Sequence, residues 1–109
     1  MGTRAVIAAS LVLAACSGPD PVVERVAVAA SPVPGHTRVA VDLANRSGGH
    51  GQIEIVITLQ PADAGARTGI AFVAERTHHH DGQQRAQLIA DLETPPGVYA
   101  ASVRARYPD

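Results

Sequence analysis

The feature that most constrains the fold of this chain is the alternation of apolar and polar side chains from residue 22 onward. Residues 37–45 alternate in this way, and residues 52–60 do so more strongly. A period of two places every second side chain on one face of a β-strand, whereas a helix repeats every 3.6 residues. The pattern therefore predicts six short strands, over residues 22–30, 37–45, 52–60, 68–76, 83–92 and 98–107.

Turn-forming residues separate the predicted strands. Proline and glycine are concentrated in Ser31–Gly35 and Glu93–Gly97, and Asn45–Gly51 is rich in residues that tolerate a positive φ. A parallel sheet is excluded, because no segment after residue 15 has the helical period that a crossover connection requires. Short alternating strands at intervals of about ten residues are typical of an all-β antiparallel sandwich, with a barrel as the alternative.

The predicted core is aliphatic and has no disulfide, because Cys16 is the only cysteine. Phe72, Tyr99 and Tyr107 are the only aromatic residues. We expect Tyr99 to be mostly buried, with its hydroxyl group hydrogen-bonded. The central apolar face is expected to consist of Ile53, Ile55, Ile57 and Leu59, packed against Leu88, Leu92 and Val103.

The charged and nucleophilic residues argue against nucleic-acid binding and against catalysis. Nine basic and ten acidic residues give a net charge of −1, and no basic stripe is present, so we expect no nucleic-acid partner. The carboxylates are scattered along the predicted outward faces, and Ser47 and Ser102 lack the surroundings of a catalytic triad. The sequence therefore predicts that the protein is not an enzyme.

Residues 1–16 have the pattern of an export signal. Arg4 precedes an apolar run over residues 5–15, which is too short to span a bilayer core of about 30 Å. Leu13-Ala14-Ala15-Cys16 resembles the lipobox of bacterial lipoproteins. The resemblance implies that the chain is cut before Cys16 and that this residue becomes an acylated N-terminus. The alternative is an ordinary secretory signal that contains a cysteine by chance.

The lipobox resemblance implies an organisation and a location. A helical signal peptide would occupy residues 1–16, a tether residues 17–21 and a single domain residues 22–109. The mature protein would be anchored in a lipid bilayer at the cell envelope, facing the periplasm or the exterior. Because Ser17 is not aspartate, the resemblance favours the outer membrane where the cell has one.

A second resemblance covers most of the predicted domain. Residues 29–35 (Ala-Ala-Ser-Pro-Val-Pro-Gly) precede a strand that ends in residues 45–49 (Asn-Arg-Ser-Gly-Gly). Residues 81–83 (Asp-Gly-Gln) and 91–99 (Asp-Leu-Glu-Thr-Pro-Pro-Gly-Val-Tyr) follow in order. In this order they are similar to bacterial adhesion modules of the CARDB type. The resemblance implies an immunoglobulin-like sandwich of six to seven strands.

In that family pattern, Gly35 and Asn45 are structural turn positions. Tyr99 would be a tyrosine corner, whose hydroxyl group bonds back to the upstream backbone. The sequence departs from the pattern in lacking a recognisable strand G after Tyr107. We therefore expect the first strand, residues 22–30, to cover the free edge of the last strand.

The other departure is a run of three histidines. We expect residues 77–82 to form a polar turn. In an extended segment His78 and His80 project to one side and His79 to the other, and Asp81 could add an oxygen ligand. Imidazoles at this spacing can bind Zn²⁺ or Cu²⁺. The alternative is a solvent-facing turn that is merely rich in histidine.

Two hypotheses for function follow. The first is a membrane-anchored, non-catalytic binding or structural module that needs no cofactor and contacts an envelope protein or the cell wall. The second is an envelope metal-binding protein that holds Zn or Cu with His78, His80 and Asp81.

Overall fold

A computed structural model describes residues 18–62, 70–82 and 85–108, and these residues form strands and no helix. The strands are β1 (Pro21–Ala30), β2 (His36–Asn45), β3 (His50–Pro61), β4 (Phe72–Asp81), β5 (Arg85–Glu93) and β6 (Tyr99–Arg106). They form two three-stranded sheets: sheet A, in the order β1-β2-β5, and sheet B, in the order β4-β3-β6. Every pairing is antiparallel, so the predicted all-β antiparallel architecture is confirmed.

The core lies between the two central strands. β2 and β3 each have a neighbour on both sides, and their inward side chains are completely inaccessible to solvent. The fully buried residues of these strands are Val39, Val41, Leu43, Ile53, Ile55, Ile57 and Leu59. From β5, Ala90 and Leu92 complete this core, while Leu88 and Val103 pack against it and remain partly exposed. The predicted central face is therefore confirmed.

Strand β4 differs from the prediction. It was expected over residues 68–76 with a polar turn at 77–82, but it runs on to Asp81 and includes the histidine run. Ile70, within the predicted range, precedes the observed strand and is 44% exposed. The reason is the length of β3, whose twelve residues continue to pair with β4 as far as His50 opposite Asp81. Backbone pairing along this ladder outweighs the weak strand preference of a polar segment.

The prediction that the first strand covers the free edge of the last strand is also wrong. β1 is hydrogen-bonded to β2 along its whole length, from Pro21 opposite Asn45 to Ala30 opposite Thr37. The short connection that ends at Gly35, where φ is 75°, brings β1 and β2 together as a hairpin. β1 is thus committed to sheet A. Among the described residues, β6 pairs with β3 alone.

The antiparallel pairing brings distant segments to one end of the sandwich. Pro21 pairs with Asn45, and His50 pairs with Asp81. Arg106, at the end of β6, pairs with Glu54 and so lies toward the same end. We call this the Asn45 end; it holds the start of β1, the β2–β3 turn, the end of β4 and the end of β6.

Candidate functional site

The free edge of β6 is the first candidate site. β1 and β6 lie beside each other as edge strands of different sheets. Their inward side chains pack on the core but stay partly exposed, unlike those of the central strands. These half-buried residues are Val23, Val26, Val28, Ala101, Val103 and Ala105. β6 therefore has, beside these half-buried apolar side chains, a row of backbone groups that no described strand pairs.

The outer side of this edge is positively charged. Arg104 and Arg106 are exposed on the outward face of β6. Arg106 binds Glu54 on β3, with an N–O distance of 3.0 Å. Arg104 forms no ion pair within the described part of the chain. The edge therefore combines an apolar inner row with an uncompensated positive charge outside.

The second candidate site is the pair His78 and His80 on the inward face of β4. His78 pairs in register with Ile53, and His80 pairs with Gly51. Gly51 has no side chain, and the ring of Tyr107 lies where its Cβ would project. His80 is completely buried, and the two ring centroids are 5.1 Å apart with the planes at 85°. The alternative of a solvent-facing turn is therefore wrong.

The buried nitrogens of these rings lack partners. Nε2 of His78 and both ring nitrogens of His80 are buried with no hydrogen-bond partner. Burial, and to a smaller extent the neighbouring His78 and His79, lowers the pKa of His80. His80 is therefore neutral at pH 7, with one ring nitrogen that carries a lone pair. Each unpartnered buried polar atom costs about 1–3 kcal/mol, so this arrangement needs a physical explanation.

Asp81, the third predicted ligand, lies on the other face of the strand. Its Oδ1 is 2.9 Å from Nε2 of His79, and both side chains are more than half exposed. His50 pairs in register with Asp81 and is also exposed. His36 lies at the opposite end of the sandwich, with Nδ1 2.9 Å from the carbonyl oxygen of Pro34. The described residues contain no group of three or more His, Cys, Asp or Glu side chains arranged to hold a metal.

Asn45, predicted as a turn position, is the centre of a hydrogen-bond network at its end of the sandwich. The side chain is 1% exposed. Its Oδ1 accepts from the backbone N–H of Asp20 at 3.0 Å, and its Nδ2 donates to the carbonyl of Gly49 at 2.9 Å. The hydroxyl group of Ser47 donates to the carbonyl oxygen of Gly18 at 2.6 Å. Residues 18–20, predicted as part of the tether, are therefore fastened to the β2–β3 turn.

Sequence reasoning missed the role of Tyr107 at this end. A Cβ atom added to Gly51 would lie 2.7 Å from the Tyr107 ring, and one added to Gly18 would also collide with it. The ring thus lies against two glycines that are distant in sequence. No local pattern signals such a contact, because each glycine also fits an ordinary turn.

The two other predicted structural positions lie at the opposite end. Tyr99 is half-buried, and its hydroxyl donates to the carbonyl of Pro95 at 2.7 Å, as predicted. Its ring meets Phe72 edge to face, at 5.9 Å between centroids. Gly35 has a φ of 75°, and its carbonyl accepts from the backbone N–H of Thr94 at 3.0 Å.

Three of the carboxylates that looked scattered in the sequence, Glu24, Glu54 and Asp91, form cross-strand ion pairs with arginine. Arg38 donates twice to Asp91, at 2.9 and 3.0 Å. These bonds, with a smaller contribution from Ser31, lower the pKa of Asp91 to about 2. Glu24 is paired with Arg85 at 3.0 Å. Each of these carboxylates therefore remains ionised at neutral pH and bound to an arginine.

The predicted lipidation site, Cys16, lies outside the described residues, as does the rest of the predicted signal peptide. In the described part of the chain, no helix has the length and apolar character needed to cross a membrane. No protein-family model, curated protein or solved structure matches this chain.

Proposed function

We propose that this protein is a non-catalytic binding module of the bacterial cell envelope, held at a membrane through acylated Cys16. In this proposal the domain is an immunoglobulin-like sandwich that accepts an extended segment of another envelope protein. The observation that carries the proposal is the free edge of β6, bordered by the half-buried apolar residues of β1 and β6.

The strand order supports an immunoglobulin-like assignment. In that fold strands A, B and E share one sheet, and strands C, F and G share the other. Here β1, β2 and β5 correspond to A, B and E, whereas β3 and β6 correspond to C and F. β4 then takes the position beside C. Strand G would lie on the free side of β6, which is the position that the proposed partner strand fills.

The chemistry of the edge favours one kind of partner. A strand added beside β6 would pair with its unpaired backbone groups, as in β-strand addition. Every second side chain of that strand would face the half-buried apolar side chains of β1 and β6, such as Val26 and Val103, so these side chains should be apolar. The alternate side chains would lie beside Arg104, so they should be acidic. Arg104 and Arg106 also disfavour uncharged or basic strands, which limits indiscriminate edge pairing.

A defined peptide tests this proposal. The full-length chain in detergent micelles is mixed with a peptide of alternating Val and Glu, and separately with its Val-Lys counterpart. We expect the Val-Glu peptide to slow amide hydrogen exchange in β6 and the Val-Lys peptide to leave it unchanged. Protection of β4, the other edge of sheet B, or equal binding of both peptides would refute the proposal.

Charge reversal supplies a matched pair of variants. Arg104→Glu should abolish binding of the Val-Glu peptide. Arg76→Glu, an exposed position on the opposite edge strand, should leave binding unchanged. Equal losses in both variants would show a nonspecific charge effect and contradict the β6 site.

The anchor needs a separate test, because it rests on the lipobox resemblance. Cys16→Ser removes the only thiol that can form the thioether to lipid. We expect the variant to remain uncleaved or to leave the membrane fraction, whereas Ser17→Ala should behave as the wild type. A Cys16→Ser protein that is processed and membrane-bound as before would refute the lipobox assignment and leave the edge proposal intact.

A further inference from the structure

The proposed binding module makes no use of the two inward-facing histidines of β4. They lie at the Asn45 end, on the inner face of an edge strand. Histidine is a polar side chain, and when buried it is ordinarily hydrogen-bonded. His80 instead is completely buried with both ring nitrogens unpartnered, and Nε2 of His78 beside it is likewise buried and unpartnered. A metal ion bound between the two adjacent rings would supply a partner for these nitrogens.

We propose that His78 and His80 form a binding site for Zn²⁺, with one imidazole nitrogen from each ring as ligand. Both side chains project from the same face of β4, because they are two residues apart on an extended strand. Imidazole is a common ligand of zinc. The other coordination positions are left to water or to an added ligand, so the site is an exchangeable one and not a closed structural centre.

The spacing of the rings allows one metal ion to bind both of them. With Zn–N bonds of about 2.0–2.1 Å, each ring centroid lies roughly 3.2 Å from the metal. Two rings bound at the tetrahedral angle then have centroids roughly 5.2 Å apart. The observed separation of 5.1 Å is compatible with tetrahedral Zn²⁺.

The position of the pair also explains how an ion could enter. β4 is an edge strand, so it can open locally at a lower free energy than the central strands. His78 is half-buried, while His80 is fully enclosed. The ion would therefore meet His78 first and His80 on closure of the strand.

Nitrogen-15 NMR of the imidazole rings tests the site without any mutation. The full-length chain, produced without a polyhistidine tag, is titrated with one equivalent of ZnCl₂ in detergent micelles. We expect the ring nitrogens of His78 and His80 to shift together, and those of His36, His50 and His79 to stay in place. Shifts at His50 and His79 alone would place the metal on the outer surface, and no shift at all would remove the site; either result overturns the proposal.

Variants then separate ligation from folding. His78→Ala should weaken Zn²⁺ binding by about tenfold or more, whereas His79→Ala, on the other face of the same strand, should leave it unchanged. His80→Leu removes two unpartnered nitrogens and should fold while losing the response to zinc. Equal affinity for Zn²⁺ in wild type and His78→Ala would overturn the proposal.

Discussion

Replacement of Asn45 by alanine is the sharpest test of what holds the Asn45 end together. The buried amide of Asn45 accepts from the backbone N–H groups of Asp20 and Ser47, and it donates to the carbonyl of Gly49. A hydrogen bond of this kind contributes about 0.5–1.5 kcal/mol net, so the three together contribute about 1.5–4.5 kcal/mol. A domain of this size has a total stability of about 5–15 kcal/mol. Asn45→Ala should therefore remove a large fraction of it.

Urea denaturation of the full-length chain in micelles, followed by circular dichroism, measures the loss. The matched control is Asn45→Asp, which keeps the acceptor for Asp20 but cannot donate to Gly49. Its free energy of unfolding should also fall, because the carboxylate would be buried and would face the carbonyl oxygen of Gly49. Hydrogen exchange adds a local measurement: the amide proton of Asp20 should exchange faster in Asn45→Ala than in Asn45→Asp.

Two results would refute this reasoning. A loss below about 0.5 kcal/mol for Asn45→Ala would mean that the network is replaced by water at no cost. Unchanged exchange at Asp20, despite a large global loss, would mean that residues 18–20 are not fastened through this side chain.

Three further predictions concern the core, the far end and acid stability. Ile55→Ala deletes a fully buried side chain between the sheets and should cost about 2–5 kcal/mol in urea denaturation. Tyr99→Phe removes the bond to the Pro95 carbonyl and should cost about 1 kcal/mol in the same assay, with no change in the near-ultraviolet signature of packing. Because the folded pKa of Asp91 is about 2, below its ordinary value of 3.8, its contribution to stability is complete above about pH 4 and is lost as pH falls toward 2. Asp91→Asn should therefore be less stable than wild type at pH 6 and equal to it near pH 2 in thermal denaturation; a constant difference across this range would contradict the assignment.

The central strands could be predicted from sequence, because a strand whose inner face is fully buried needs an apolar side chain at every second position. β2 and β3 lie in the middle of their sheets, and their inward positions are occupied by Val39 through Leu43 and by Ile53 through Leu59 without interruption. Proline and glycine end these strands where backbone pairing stops. Local sequence carries both signals, so these strands were placed to within two residues.

The end of β4 and the neighbour of β6 could not be predicted in this way. Thr77 through His80 have little strand preference of their own, and they are extended because Gln52 and Ile53 on β3 pair with them. Alternation likewise shows which face of β1 is apolar but not which strand lies beside it. The strand that pairs with an edge strand depends on the fold of the whole chain. Here the short turn that ends at Gly35 pairs β1 with β2. The placement of His78 and His80 on one face followed from period two alone, whereas no local pattern predicted the complete burial of His80.

The sheet orders also determine when each part of the molecule can form. β1 and β2 form a hairpin with a short turn, so their contacts are local in sequence and should form early in folding. β2 must wait for β5, since Arg38 and Asp91 are 53 positions apart, and β3 must wait for β6, since Glu54 and Arg106 are 52 positions apart. Closing loops of this length is entropically costly and slow, and no disulfide shortens the search. We therefore expect each sheet to start as a pair of adjacent strands and to gain its third strand late; β6, whose outer edge no described strand pairs, follows the other five strands along the chain.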